Sequence, residues 1–401
     1  MGGDGYTARP RSVAVGVRRA PAVPPAPAGQ GGTVATEVEA YMRRALELAE
    51  RGWGRVSPNP MVGAVIVHDG EVVGEGWHEG PGTDHAEVMA LRAAGHRASG
   101  ATIVCTLEPC NRFGRTPPCT RALLDAGVAR VVIGATDPNL GNDAPGVGEL
   151  REGGVAVDTG MLLDEARALN EAFDRHVMTG RPFVVLKMAA SLDGKTAAAD
   201  GTSRWITGEA ARADVHRLRA WSDAIVVGAG TALADDPSLT VRGAFAGTAR
   251  PPLRVVVDAA GTVPHDLLMF DGSAPTMVAT TDRASASRVR EWSAAGADVA
   301  VLDRDAGDAV AMTGLVEELG KRDVQGVLIE GGASLAWSAV REGVVDRVVV
   351  YVAPLLVGGV APTMMGGEGF VPIGAAQRLG PLAVERIGDD LKVVADVHGH
   401  R

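Results

Sequence analysis

Hydrophobic positions along the chain alternate between two periods. Val38, Tyr41, Met42, Ala45, Leu48 and Ala49 recur at helical spacing behind Thr36-Glu-Val-Glu39, a capping-box pattern, and Gly52 closes the run. Met61-Val-Gly-Ala-Val-Ile-Val67 and Glu71-Val-Val-Gly-Glu-Gly-Trp77 flank Asp69-Gly70, which predicts two strands joined as a hairpin. A helix over 84–94, a strand over 101–106, a helix over 120–126 and a strand over 130–135 follow, then helix, strand and helix to about 176. Such alternation predicts a three-layer α/β domain.

Thr179-Gly-Arg-Pro182 punctuates the pattern as a linker, and the alternation restarts beyond it. Strands are predicted over 183–189, 224–228, 253–258, 324–330 and 347–352, with helices over 209–220 and 335–341. The reading is therefore two α/β domains, 35–179 and 183–401. Before them, residues 1–34 form a tail in which Ala20-Pro-Ala-Val-Pro-Pro-Ala-Pro-Ala28 shows no periodicity.

Composition narrows the class. The 401 residues are 46% hydrophobic, 22% charged and 4% aromatic, with a net charge of −10. No apolar run reaches the roughly 20 residues of a membrane helix. The acid excess and sparse aromatics oppose a nucleic-acid binder or a base editor, which needs a basic, aromatic-lined channel. Three cysteines are too few for a disulfide framework, so a reducing cytoplasm is expected.

The clearest chemistry is His85-Ala-Glu87, followed by Glu108-Pro-Cys110 and Cys119. One imidazole and two thiolates suit zinc, and three protein ligands leave a fourth position where water is activated. Glu87 would serve as general acid/base rather than ligand, the zinc-deaminase pattern with a longer gap between the cysteines. Residues i and i+2 do not share a helix face. His85 and Glu87 converge only within a first helical turn, for which Asp84 is the expected N-cap. Asp84-His-Ala-Glu87 is equally an ordinary cap, and Cys110 and Cys119 taken alone are equally free thiols. In the second half, Gly228-Ala-Gly-Thr-Ala-Leu233 lacks the third glycine of a dinucleotide fingerprint. Gly331-Gly332, between a strand and a helix, is either a phosphate cradle or a tight connection.

These residues resemble the bifunctional riboflavin-biosynthesis deaminase–reductase family. The resemblance rests on Pro58-Asn-Pro60, His85-Ala-Glu-Val88, Thr106-Leu-Glu-Pro-Cys110, Gly114-Arg-Thr-Pro-Pro-Cys119 and Asp137-Pro-Asn139. Lys187-Met-Ala-Ala-Ser-Leu-Asp-Gly194, Ser203-Arg-Trp-Ile-Thr207, Leu233-Ala-Asp-Asp-Pro237 and Glu330-Gly-Gly-Ala-Ser-Leu335 extend it through the second half. It implies a cytidine-deaminase-like three-layer first domain and a dihydrofolate-reductase-like second one. The implied reaction is zinc-dependent deamination of a diaminopyrimidinone ribosylamino phosphate, then NADPH reduction of its ribosyl chain to ribityl.

The resemblance assigns one zinc per chain to His85, Cys110 and Cys119, proton transfer to Glu87, and a substrate contact to Asn59. It assigns NADPH to Ala189, Trp205, Thr231, Asp235 and the run Gly332, Ala333, Ser334, Leu335, Ala336, Trp337 and Ser338. Ser203, Arg219, Leu239, Arg242 and Glu330 are assigned to the reductase substrate. The arginines suit a phosphate, or are solvated surface groups, and Trp205 is equally a core residue. Asn111-Arg112 stands where the family has a pair ending in histidine, residues 140–146 depart from its pattern, and Ala259 replaces a common hydroxyl. A paralogue acting on a related aminopyrimidine and a catalytically silent regulatory homologue are the alternatives. The partner expected is the small pyrimidine ribose-phosphate, without nucleic acid or membrane, and assembly into a homo-oligomer is left open.

Overall fold

A computed structural model describes residues 33–113, 117–139, 146–247 and 250–397. The first half runs α1 (Thr33–Ala49), β1 (Gly63–His68), β2 (Glu71–Trp77), α2 (Ala86–Ala94), β3 (Thr102–Leu107), α3 (Cys119–Asp125) and β4 (Arg130–Ala135). It continues through α4 (Gly146–Glu152), β5 (Ala156–Thr159), α5 (Leu163–Leu169) and α6 (Glu171–Thr179). The sheet order is β2-β1-β3-β4-β5, with β1 antiparallel to both neighbours and the rest parallel.

The period of two decides which helix each strand residue meets. Val65, Val67, Val104 and Val132 face Met42, Ala45 and Leu48 of α1. Ala64, Ile66, Ile103 and Ile133 face α2, α3 and α4 through Ala86, Ala90, Leu123 and Leu150. The hairpin turn has φ of 49° at Asp69 and 79° at Gly70, the left-handed pair a tight two-residue connection requires. Gly63 permits the closest approach: a Cβ there would lie 1.9 Å from the Ala45 carbonyl oxygen. Helix α1 starts at Thr33, so Thr36, the expected cap, lies inside it. Residues 1–32 lie outside the described residues.

The second half runs β6 (Phe183–Ser191), α7 (Glu209–Trp221), β7 (Ala224–Gly228), α8 (Ala229–Asp235), β8 (Leu253–Val257), β9 (Thr276–Thr280) and α9 (Ala286–Ala294). Then come β10 (Asp298–Val301), α10 (Met312–Gly320), β11 (Gly326–Ile329), α11 (Ala333–Arg341), β12 (Arg347–Ala353), β13 (Ala383–Ile387) and β14 (Asp390–Asp396). Among the described residues, nine strands order as β10-β9-β8-β7-β11-β6-β12-β14-β13. All neighbours are parallel except the last two pairs. Strand β11 is inserted between β6 and β7, so the chain reverses its direction of travel across the sheet there. Crevices at the carboxyl ends of such strands are where open α/β sheets bind ligands. Among the described residues, no helix is long and apolar enough to cross a membrane.

Candidate functional sites

The metal-type cluster is built by two helix starts and one loop. His85 occupies the N-cap of α2 with extended backbone (φ −73°, ψ 159°), and Glu87 lies in the first turn, 3% exposed. The expected cap, Asp84, is displaced by one residue. Its carboxylate pairs with Arg92 at 2.7 Å and its carbonyl faces the ring of His78. Cys110 follows the end of β3, and Cys119 opens α3. The Thr120 N–H donates to the Cys110 carbonyl at 3.1 Å, which holds the two cysteine segments together across their long gap. Gly114, Arg115 and Thr116 of that gap, and residues 140–145, lie outside the described residues.

His85 Nδ1 lies 3.2 Å from Cys119 Sγ and 3.5 Å from Cys110 Sγ, and the three donor atoms sit within 4.8 Å of one another. Ligands at zinc bond lengths on a tetrahedron would be roughly 3.6 Å apart, so this donor set fits. The Cys110 thiol is held down to about 4, first by the hydrogen bond from Cys119 and then by His85. The same hydrogen bond in turn holds the Cys119 proton on, with burial adding to the effect. A divalent cation is what would let both sulfurs ionise together. Burial, then the Cys110 charge, push Glu87 up to about 7, where a carboxyl both gives and takes a proton at neutral pH.

The same pocket contains a residue that sequence reasoning missed. His78 is buried, edge-on to His85 with ring centroids 5.6 Å apart. Burial lowers its pKa, favouring the neutral ring. Its Nδ1 lies 3.2 Å from the Asp84 carbonyl, which only accepts, so Nδ1 carries the proton. Nε2 then accepts from Asn59 Nδ2 at 2.9 Å, which turns the Asn59 amide oxygen away from His78. A lone histidine after a strand carries no signal of this in sequence. Glu108 supports the loops around the cluster, since its two oxygens accept the backbone N–H groups of Asp137 (3.2 Å) and Val147 (3.0 Å). Arg112, at the departure from the family pattern, is exposed, and burial keeps the Asp137 pKa raised despite the Asn139 N–H and the Arg112 charge.

A cavity of about 1390 Å³ opens at the carboxyl ends of β6, β7, β8 and β11. Ordinary small-molecule pockets are roughly 300–1,000 Å³, so a dinucleotide and a second ligand fit together. Among the expected cofactor residues, Ala189, Trp205, Thr231, Asp235, Gly332, Ala333, Ser334, Leu335 and Ser338 line it. Ala336 and Trp337 do not. Ala336 is fully buried in the core, and the Trp337 ring packs against the loop that carries Gly367 and Phe370, its centroid 4.9 Å from that of Phe370. Gly332 caps α11, whose N-terminal N–H groups suit a phosphate. Trp205 is 69% exposed, with the Arg212 guanidinium 4.5 Å over its ring.

All five expected reductase-substrate residues, Ser203, Arg219, Leu239, Arg242 and Glu330, line the cavity as well. Arg219 is no surface arginine: it donates to Glu330 at 2.6 and 3.0 Å from a half-buried position. Burial acts to raise the Glu330 pKa, but the Arg219 charge and hydrogen bonds, with Lys187, outweigh it and leave the carboxylate below its usual range. Lys187 Nζ lies 3.9 Å from Glu330, and burial lowers its pKa despite that neighbour. In the sequence Lys187 stands out only as the first residue of a motif. Its position in β6 beside β11 makes it the cavity's half-buried amine. Arg242 sits at the mouth, donating to Thr240 Oγ1 at 3.3 Å and to Ser238.

Residues 182–393 match the model of the RibD C-terminal domain, and residues 35–135 match that of the cytidine and deoxycytidylate deaminase zinc-binding region. The chain is 41% identical over 359 residues to riboflavin biosynthesis protein RibD of Bacillus amyloliquefaciens, covering 89% of this chain and 95% of that protein. It is 40% identical over 365 residues to its counterpart in Escherichia coli, covering 88% and 97%. Among solved structures, Acinetobacter baumannii RibD superposes with a TM-score of 0.82 at 38% identity, covering 90% of this chain and 99% of that one. The Thermotoga maritima diaminohydroxyphosphoribosylaminopyrimidine deaminase/5-amino-6-(5-phosphoribosylamino)uracil reductase gives 0.80 at 34% identity, covering 91% and 99%.

Proposed function

The chain belongs to the family of bifunctional riboflavin-biosynthesis deaminase–reductases, and we propose which residues, metal and reductant carry the work at each of its two sites. Its first half is a cytidine-deaminase-like domain and its second a dihydrofolate-reductase-like domain. The chain deaminates and reduces a pyrimidine intermediate of the riboflavin pathway.

Deamination is assigned to the His85, Cys110 and Cys119 cluster, which would hold zinc. Zinc supplies Lewis acidity that brings water into reach of deprotonation at neutral pH. Glu87 takes the proton from water and passes it to the pyrimidine ring and the departing amine, so that water and the amine give a carbonyl and ammonia. Asn59, its amide set by His78, orients the ring. The observation that carries this assignment is the convergence of three soft donors beside a buried carboxyl poised near neutral pH.

Reduction is assigned to the large cavity, which would take NADPH along Gly332 to Leu335, with Thr231, Asp235, Trp205 and Ala189. NADPH supplies the hydride. Opening a ribosyl ring to a ribityl chain also needs a proton at the ring oxygen, and Lys187 is the half-buried amine lining the cavity that would give it. Glu330, kept anionic by Arg219, accepts from sugar hydroxyls, and Arg242 at the mouth suits the phosphate.

The test supplies purified protein with the 2,5-diamino-6-(ribosylamino)pyrimidin-4-one 5′-phosphate, with and without NADPH. Without it, product mass should report exchange of one amine for oxygen; with it, the gain of two hydrogens as well. Glu87→Gln should retain the metal and lose about 10²–10⁴-fold in ammonia release, while reducing the deaminated intermediate at the wild-type rate. Equal ammonia release by wild type and variant would refute the assignment.

A further inference from the structure

We propose that Gln325, a residue of the reductase half, is a positioning residue for deamination; this rests on Asn59 contacting the deaminase substrate. Asn59 sits on the loop that enters β1, and the peptide plane between Pro58 and Asn59 is fixed at both of its polar ends. On one side the Asn59 N–H donates to the Val56 carbonyl at 2.8 Å. On the other the Pro58 carbonyl accepts from Gln325 Nε2 at 2.7 Å. The loop's next anchor is internal to the first half: Asn170 both accepts from the Met61 N–H (2.8 Å) and donates to its carbonyl (2.9 Å). Gln325 is thus the second half's hold on the plane that carries Asn59.

Gln325 is suited to that role because its own backbone is immobilised. Its N–H donates to Asp223 Oδ2 at 2.8 Å, and its carbonyl accepts from Phe183 N–H at 2.7 Å. The residue is 6% exposed and borders a cavity of about 60 Å³ shared by Ser57, Asn59, Asn170 and Trp221. Trp53 brackets the same junction, donating to the Arg217 carbonyl at 3.2 Å while the Arg217 guanidinium stacks 4.5 Å over its ring. With Gln325 removed, the Pro58 carbonyl loses its partner inside this junction and one end of the plane is released. The Asn59 amide then departs from the geometry that His78 dictates at its other end.

Loss of one net hydrogen bond corresponds to about a two- to tenfold change in an equilibrium. The experiment uses the full chain and measures deamination by ammonia release. Gln325→Met and Gln325→Glu, neither able to donate to Pro58, should each raise the deamination KM about two- to tenfold. Deamination kcat, metal content and reduction of the deaminated intermediate should stay at wild-type values. In an Asn59→Ala background, Gln325→Met should add nothing further, since a residue acting through Asn59 has nothing left to position. If Asn59→Ala raises KM and neither Gln325 variant does, the positioning role is overturned. A fall in reductase constants alongside deamination overturns it too, because it marks general damage to β11. If Asn59→Ala itself leaves KM unchanged, the substrate contact assigned to Asn59 fails, and the inference fails with it.

Discussion

Replacing Arg219 with methionine isolates the electrostatics of the reductase cavity. Methionine keeps the apolar stem but removes both donors to Glu330, at 2.6 and 3.0 Å. Removing one member of a buried ion pair costs about 3–5 kcal/mol when the survivor stays charged. Glu330 can escape by taking up a proton, and that route sets a ceiling. From an unfolded value of about 4.3, protonation costs about 1.4 kcal/mol per pH unit, hence about 3.7 kcal/mol at pH 7 and about 1 kcal/mol at pH 5. Lys187, 3.9 Å away, offsets part of this, so a loss of about 3 kcal/mol is expected at pH 7, shrinking to about 1 at pH 5.

The sign follows from linkage. The depressed wild-type carboxyl contributes stability above its unfolded pKa, which is lost as pH falls, whereas a raised carboxyl in the variant destabilises over that same range. Urea denaturation followed by tryptophan fluorescence at the two pH values measures both, with Trp221, Trp292 and Trp337 reporting on the second half. A deficit that is equal at pH 7 and pH 5, or below about 1 kcal/mol at pH 7, would refute the reasoning.

Other perturbations test other links. Cys119→Ser should leave the purified protein without stoichiometric zinc by elemental analysis and lower deamination by about two orders of magnitude or more, with NADPH oxidation on the deaminated intermediate intact. Gly63→Ala places a Cβ 1.9 Å from the Ala45 carbonyl oxygen and 2.8 Å from the Ala49 nitrogen. Pushing α1 off the sheet should cost about 3 kcal/mol, read as a lowered Tm. Chelation of wild type should abolish ammonia release and leave reduction unaffected, and zinc should restore it; loss of both activities would contradict two separate sites.

The sequence revealed most where chemistry and periodicity coincide. His85, Glu87, Cys110 and Cys119 were legible because few structural roles call for an imidazole, a carboxyl and two thiols in that order. The helix and strands of the first half were legible because apolar residues repeat along them without interruption. Strands β9 and β10 escaped although β7, β8 and β11 of the same length were legible: β9 is bounded by threonines, and β10 opens on Asp298 and is exposed at both ends. The antiparallel edge pair β13 and β14 escaped for a different reason: β13 is almost entirely exposed and carries no buried stripe. Of the expected cofactor run, Ala336 and Trp337 do not line the cavity: Ala336 is buried in the core and Trp337 packs against Phe370. His78 and Gln325 act through single hydrogen bonds across 19 and 267 positions, and no local pattern encodes such a partner. The cap at His85 rather than Asp84 shows the same limit, since the Arg92 pair that occupies the Asp84 carboxylate becomes visible only once α2 is built.

The place of β11 has a consequence for biosynthesis. The strands of the first sheet are all translated by residue 159, so that unit can close while the ribosome is still at work. In the second sheet, β6 and β7 are made early yet must leave a gap between them for a strand spelled out about a hundred residues later. Until that strand emerges, a nascent chain presents two strand edges with unpaired backbone N–H and C=O groups at the centre of its sheet, the kind of surface that chaperones shield and that stalled fragments aggregate through.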